Sequence, residues 1–318
     1  MRNTILSNPS VPAAETMPVP EISIIIPACN ESGSIAGVVE GVHQAMSVLQ
    51  RAYEILVVND GSTDDTAEAA RQAGAMVITH PYTIGNGAAV KTGIRHATGK
   101  ILCMMDGDGQ HDPADISRLL ARQEEGFDMV VGARQGGSQA NRWRGLANAL
   151  YNRLASYMTG HRVEDLTSGY RVGLAEKVRE FLHLLPNGFS YPTTITMAFF
   201  RAGYPVAYVP LDVAPRIGKS HIRPIKDGIR FLLIIFKIGT LYSPFKLFVP
   251  VAFVHCLFGL GYYAYTFVSS GRLSIMTVFM LTAGVTIFLI GLVSEQITQL
   301  MYMRGRENLF PAKDTPRQ

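Results

Sequence analysis

The sequence predicts an α/β domain on a largely parallel sheet, followed by a basic amphipathic stretch and a two-helix apolar hairpin. Three observations predict it. Short apolar runs rich in β-branched residues alternate with helix-spaced patterns in the first two-thirds of the chain. Polar, glycine-rich segments follow the strands, where an open α/β sheet binds its ligands. From residue 247 to 294 the only formally charged residue is Arg272. With 47% hydrophobic and 17% charged residues among 318 and a mean hydropathy of +0.16, the chain is too apolar for an ordinary soluble enzyme and too polar for a transporter.

Pro9, Pro12, Pro18 and Pro20 and the lack of a sustained apolar run make residues 1–20 read as a flexible leader rather than a signal peptide. Buried strands are expected at 22–26, 55–58, 76–78, 101–105 and 129–131. Between the first two, Ile35, Val38, Val39, Val42, Met46 and Leu49 recur at helical spacing. This α/β domain runs over 21–215. Residues 216–246 hold seven basic side chains and one Asp, net +6, against −4 for residues 1–215 and +2 for the remainder, which sums to the formal +4. A basic collar directly ahead of apolar segments fits anionic lipid headgroups rather than nucleic acid. Within it, residues 222–242 read as an amphipathic juxtamembrane helix.

Two uncharged runs, 247–270 and 273–294, are each long enough at about 1.5 Å per residue to cross a hydrocarbon core of about 30 Å. They define a hairpin over 247–300 and leave 301–318 as a tail. Basic residues cluster before the first run and after the second. The positive-inside rule then predicts cytoplasmic termini with Arg272 in the external turn. No charge interrupts either span, so the hairpin is expected to anchor the chain and to offer a surface for homo-oligomers, without an ion or substrate path. Cys29, Cys103 and Cys256 show neither disulfide nor zinc-ligand spacing, which fits a reducing compartment.

The segments after the strands carry the chemistry. Pro27-Ala28-Cys29-Asn30-Glu31 follows the first and Asn59-Asp60-Gly61-Ser62-Thr63-Asp64-Asp65 the second; each alone also reads as a polar turn entering a helix. After the fourth stands Asp106-Gly107-Asp108-Gly109-Gln110-His111. Two carboxylates two residues apart with a side-chain amide present hard oxygen ligands, which suits Mg2+ or Mn2+ bound together with a diphosphate. A solvated Asx turn is the plainer reading of the same residues. Gln139, Arg142 and Trp143 spell QxxRW, the signature of processive polysaccharide synthases. It precedes rather than follows the acidic Glu164-Asp165, so the match is set aside and Trp143 is read as packing.

Taken in order, Pro27 to Glu31, Asn59 to Thr66, Ile84 to Val90, Asp106 to His111 and Asp165-Leu166-Thr167-Ser168-Gly169-Tyr170-Arg171 resemble the family 2 glycosyltransferases of the GT-A fold. Within that family they resemble the polyprenyl-phosphate sugar transferases related to dolichyl-phosphate mannose synthase. The resemblance covers roughly residues 21–220, and the hairpin with Glu295 fits the same branch. It implies a Rossmann-like GT-A domain that moves a sugar, with inversion, from a UDP- or GDP-sugar to a polyprenyl phosphate. It places Pro27, Asn30, Glu31, Asp60 and Asp106 around the donor nucleoside, and Asp106, Asp108 and Gln110 at the metal and diphosphate. Arg134, Arg144, Asn148, Arg216 and Lys219 would face phosphate. Asn86 and Asn148 depart from the family, standing where many relatives have a lysine and some a hydroxyl residue, respectively.

A phosphomonoester with a second pKa near 6 is mostly dianionic at neutral pH and attacks without a strong base. Asp165 is the best candidate for a base or a positioning carboxylate, its plainer reading being a cap or a buried acceptor under the Ser168-Gly169 turn. His111 is as readily a cap as a metal or phosphate contact. His255 is expected to be hydrogen-bonded or neutral in the first span, and Cys29 and Cys103 to be small packing residues. Other acceptors, such as a diacylglycerol or a growing glycan, remain alternatives to the lipid phosphate. So does a non-catalytic nucleotide-sugar-binding membrane partner, against which the paired Asp106 and Asp108 argue.

Overall fold

A computed structural model of the chain describes residues 19–134, 142–188, 190–212, 240 and 242–309, with 142–148 and 302–309 described as backbone. Seven strands form one sheet: β1 (Ile22–Ala28), β2 (Tyr53–Asn59), β3 (Met76–Thr79), β4 (Ile101–Met104), β5 (Met129–Arg134), β6 (Arg171–Leu174) and β7 (Val206–Leu211), in the order β3-β2-β1-β4-β6-β5-β7. All pairings are parallel except those of β6, which runs antiparallel to both β4 and β5. The predicted mostly parallel α/β sheet is thus present.

The apolar runs become strands because they are buried on both faces. Ile22, Ile24 and Ile26 face one core while Ile25 faces the other, and Leu56 and Val57 divide in the same way. One core lies under α1 (Ile35–Leu49), α2 (Thr66–Gln72) and α4 (Ile116–Glu124); the other lies under α3 (Asn86–His96), α5 (Arg142–Thr159), α6 (Ala175–Glu180) and α7 (Tyr191–Ala202). In α1 the residues expected at helical spacing, Ile35, Val38, Val39, Val42 and Met46, are the buried ones.

Three strands differ from expectation. β3 is an edge strand among the described residues, and its Met76 is 58% exposed. β6 holds four residues with a glycine and a fully buried arginine, so it lacks any apolar run to announce it. β7 alternates in burial and carries Pro210, which an edge strand accepts because its outward N–H has no ladder partner to lose.

β6 matters for the site. Because it runs backwards, the segment leading into it, residues 165–170, arrives at the same rim as the segments leaving β1, β4 and β5. The rim straddles the point between β1 and β4 where strand order reverses, the usual location of a ligand crevice in such sheets.

Beyond the sheet, α8 (Pro244–Ser270) and α9 (Ile275–Leu309) form an antiparallel hairpin around Gly271, whose φ of 64° closes α8. The helices pack closely where side chains are missing: a Cβ on Gly284 would stand 2.5 Å from Cys256 Sγ, and one on Gly291 2.7 Å from Phe248 Cβ. Their outer faces stay apolar and uncovered, with Phe253 65% and Val268 88% exposed. Pro244–Ser270 and Ile275–Met301 are both long and apolar enough to cross a membrane. The second helix starts two residues later and runs further than the sequence suggested. His255 Nδ1 meets the Val251 carbonyl oxygen at 2.9 Å, the hydrogen-bonded role expected of it. The amphipathic helix expected over 222–242 lies outside the described residues except for Thr240 and Tyr242.

Candidate active site

The side of the rim next to β1 and β2 is built from latches between loops. Asn30, with φ of 56°, turns the chain out of β1 in the left-handed region that asparagine tolerates. Its side-chain oxygen accepts the Thr63 N–H at 2.9 Å, and its own N–H donates to Ser62 Oγ at 2.9 Å. The Glu31 N–H donates to Thr66 Oγ1 at 2.8 Å, while the Glu31 carbonyl accepts from Ser34 and Ile35 and so starts α1. Ser34 Oγ in turn donates to the Gly107 carbonyl at 2.8 Å, tying this loop to the acidic one. Pro27 is buried within β1, paired with Val58.

Asp60 is buried and engaged on both oxygens. It accepts the Ile84 N–H at 2.9 Å and the Gly85 N–H at 2.8 Å, and meets His80 Nδ1 at 2.7 Å. His80 continues to Thr92 Oγ1 at 2.9 Å. Asp60 therefore shapes the glycine-rich loop that opens α3. Nothing in the sequence singled out His80, a lone histidine after an edge strand. Burial would raise the pKa of Asp64, but the hydrogen bonds it accepts from Thr66 and from the Ser32 N–H at 3.2 Å together outweigh that and lower it to about 2.

The acidic loop lies between the two sides. Asp106 is half-buried, and burial alone would raise its pKa. The nearby His111 imidazole and Asn86 amide, with the charge of Arg134, outweigh that and hold it below the usual carboxylate value. Asn86 thus stands directly on the carboxylate, a role its neutral side chain did not suggest. Gly169 lets this carboxylate approach the backbone, since a Cβ there would meet Asp106 Oδ2. His111 is 7% exposed, its ring centroid 4.9 Å from that of Tyr170 and its Nε2 3.8 Å from Asp106. Neither His111 Nδ1 nor Asn86 Oδ1 has a hydrogen-bond partner among the described residues, and both are buried. Asp108 and Gln110 are half-buried, with the Gln110 N–H donating to Asp108 Oδ1 at 3.2 Å, so the expected Asx turn is present as well. No three acidic, histidine or cysteine side chains among the described residues converge on a common point. The hard oxygens of this loop and the orphaned imidazole nitrogen fit a divalent cation shared with a diphosphate, rather than one caged by protein alone.

On the other side, Arg134 at the end of β5 is locked to Asp165. Arg134 Nε donates to Oδ2 at 2.7 Å, Nη2 to Oδ1 at 3.0 Å, and its backbone N–H to Oδ2 at 3.2 Å. Asp165 also accepts the N–H groups of Thr167 and Ser168 at 3.0 and 3.1 Å and Thr167 Oγ1 at 3.2 Å. A carboxylate offers about four lone-pair sites, and these donors fill them. Burial pushes the pKa of Asp165 upward, and the hydrogen bonds and charge of Arg134 pull it below the usual carboxylate value. A cleft of about 350 Å3 opens beside Arg134, lined by Ala133, Arg162, Val163, Glu164 and Pro210.

Arg171 was quoted in its motif without a role. It is fully buried and donates to the carbonyls of Ser168 and Pro192 and to Thr196 Oγ1. Tyr191 is also buried; burial and then the Asp106 carboxylate raise its pKa. The rim thus brings together Asn30, Glu31, Asp60, Asp106, Asp108, Gln110, Arg134 and Asp165. Arg144 and Asn148 lie on α5, described there as backbone, and Arg216 and Lys219 lie outside the described residues. Cys103 is buried, with its thiol pushed up to about 12 by burial, as a packing residue should be; Cys29 is half-exposed.

A family model described as glycosyl transferase family 2 matches residues 23–182, and one described as the GtrB C-terminal hairpin matches residues 243–300. The chain is 28% identical over 298 residues to glycosyltransferase AglJ of Haloferax volcanii, covering 89% of this chain and 96% of that one. It is 36% identical over 156 residues to an undecaprenyl-phosphate 4-deoxy-4-formamido-L-arabinose transferase of Klebsiella pneumoniae. That match covers 46% of this chain and about half, 47%, of the relative. Among solved structures, glucosyl-3-phosphoglycerate synthase from Mycobacterium tuberculosis with Mn2+ and UDP-glucose superposes with a TM-score of 0.54 at 26% identity, over 70% of this chain and 78% of that one. The same enzyme with Mn2+, UDP and phosphoglyceric acid gives 0.55 at 24%, over the same shares of the two chains. The chain belongs to glycosyl transferase family 2 and is a glycosyltransferase with a GT-A-like domain and a GtrB-type C-terminal hairpin.

Proposed function

We propose that this glycosyltransferase moves a sugar from a UDP- or GDP-sugar to a polyprenyl phosphate at the cytoplasmic face of a membrane, with inversion. The observation that carries the reading is the pairing on one rim of an acidic loop, suited to a diphosphate and its cation, with an arginine held by Asp165. The polyprenyl-phosphate substrate in the name of the Klebsiella relative, the GtrB-type hairpin and the nucleotide complexes of the structural neighbour support it.

In this reading Pro27, Asn30, Glu31, Asp60 and Asp106 shape the nucleoside pocket. Arg134, with Arg144, Asn148, Arg216 and Lys219, offsets the charge of a dianionic acceptor brought beside an anionic donor. An acceptor phosphate oxygen bonds to the anomeric carbon while the bond from that carbon to the diphosphate breaks, and a nucleoside diphosphate leaves. No proton need be removed, because the acceptor is already ionised. Asp165 is then a positioning residue that fixes the guanidinium of Arg134. A divalent cation held by Asp108 with Asp106 and Gln110 would neutralise charge on the departing diphosphate. Residues 21–215 form the catalytic unit, 216–246 a basic surface-seeking segment and 247–300 the anchor, with both termini cytoplasmic and Arg272 in the outer turn.

The test is to incubate the purified protein with undecaprenyl phosphate, Mg2+ or Mn2+ and a panel of nucleotide sugars, following nucleoside diphosphate release. Lipid-dependent release with one donor, abolished by chelator, is the expected outcome. Release that ignores the lipid would overturn the acceptor assignment, and release that ignores the chelator would overturn the metal.

A further inference from the structure

Helix α7 meets the site at one end and the hairpin at the other. In its first turn Tyr191 lies within electrostatic reach of Asp106. There the buried Arg171 donates to the Pro192 carbonyl at 3.0 Å and to Thr196 Oγ1 at 3.1 Å, while the same guanidinium bonds the Ser168 carbonyl beside Asp165. In its last turn Arg201 Nη2 donates to Glu295 Oε1 of α9 at 2.9 Å. The other Glu295 oxygen accepts the Phe245 N–H, in the first turn of α8, at 3.4 Å. Tyr191 and Arg201 are ten residues apart, about 15 Å along a helix.

The neighbouring contacts run the same way. Tyr242 Oη, just ahead of α8, donates to the Thr194 carbonyl at 2.8 Å. Lys246 Nζ and Ser243 Oγ donate to the Met158 carbonyl in the last turn of α5, at 2.8 and 3.3 Å. The last turn of α5 therefore rests on the start of α8, the last turn of α7 on Glu295 of α9, and the first turn of α7 on Tyr242 just ahead of the hairpin. An exposed ion pair would add little to such a joint. Arg201 and Glu295 are each only 22% exposed, and Glu295 also serves a helix N-terminus, where a negative charge is favoured. Removing one partner leaves the other partly desolvated and unpaired.

We propose that the Arg201–Glu295 pair is a clamp that makes α7 a strut between hairpin and site, fixing the posture of the strand-end rim towards the membrane. The clamp thereby selects acceptors delivered from the bilayer over acceptors free in water. This rests on the prenyl-phosphate reading above. Arg201 and Glu295 are positioning residues; neither touches the reacting atoms.

The test compares kcat/KM for a long-chain polyprenyl phosphate in vesicles with kcat/KM for a short-chain, water-soluble prenyl phosphate, using one donor. Arg201→Gln should lower the first roughly tenfold, mainly through KM, and the second less than twofold. Arg201→Lys, which keeps the charge and leaves Glu295 on the Phe245 N–H, should lose less than about threefold on the first. Equal losses on both acceptors, or no loss on either, would overturn the proposal. A second readout needs no substrate: the distance distribution between spin labels at Glu125→Cys and Arg272→Cys, in a background with Cys29→Ser and Cys256→Ser. It should be narrow in the parent and in Arg201→Lys and broad in Arg201→Gln; a distribution unmoved by Arg201→Gln overturns the clamp. A parent that turns over neither acceptor would sink the prenyl-phosphate reading, and the distances alone would then decide the clamp.

Discussion

The two sides of the strand-end rim put their carboxylates to different uses. On the β1–β3 side, Asp60 and Asp64 accept backbone N–H groups and thereby fix loop shape. On the β5–β6 side, Asp165 accepts a guanidinium and thereby fixes a cation. The first arrangement builds a surface that a nucleoside can fit; the second builds a charge that a phosphate can find. Substitutions should therefore fail differently on the two sides.

The largest effect is expected between them. Asp108→Ala should lower kcat about a thousandfold, in the range for losing one preorganised electrostatic group, with the fold intact by circular dichroism. Wild-type turnover in this variant would remove the acidic loop from the chemistry. Asp165→Asn should come next, raising the acceptor KM by about one to two orders of magnitude as Arg134 loses its ionic partner. Donor affinity should move less than twofold; a matching loss of donor affinity would erase the distinction between the two sides. Asp60→Asn replaces one acceptor oxygen by an NH2 group that faces either the Ile84 or the Gly85 N–H. It should cost about 2 kcal/mol of stability, read as a lower Tm. An unchanged Tm with donor binding abolished would make Asp60 a direct ligand instead of a loop anchor.

The smallest effect is on the acid limb of stability. Asp64 has its pKa depressed to about 2, so its contribution is complete above the unfolded value near 4 and is lost as pH falls from there through about 2. Because the side chain is exposed, only a few tenths of a kcal/mol are expected. Asp64→Asn should lower stability slightly at pH 5 and leave it unchanged near pH 2, as followed by urea denaturation. A gap between the two proteins that persists at pH 2 would separate the latch from its charge.

What the sequence made legible follows from how far each signal extends along the chain. Ile22 to Ile26 and Leu56 to Val58 announce strands because burial on both faces demands an unbroken apolar run. β6 could not be seen this way. It is set between β4 and β5 by neighbours far away in sequence, and its buried arginine is satisfied by Pro192 and Thr196 on another helix. The site behaved alike. The paired acids stand out along the chain by their spacing alone, whereas the approaches of Asn86 to Asp106 and of His80 to Asp60 are meetings of distant segments that no local pattern encodes. For Asp165 the sequence left two roles open, and the filled hydrogen-bond shell around its carboxylate favours the positioning one.

The hairpin adds a length to this chemistry. Glu295 lies twenty residues beyond Ile275, the start of α9, which at helical rise is about 30 Å, the thickness of a bilayer's hydrocarbon layer. With the outer turn seated at one surface, Glu295 and the helix ends it joins come level with the other. In a thicker bilayer that carboxylate is drawn towards hydrocarbon and the helices must straighten or pull against it; in a thinner one they tilt. On the proposed bilayer placement, acyl-chain length is thus a variable that bears on the Arg201–Glu295 joint.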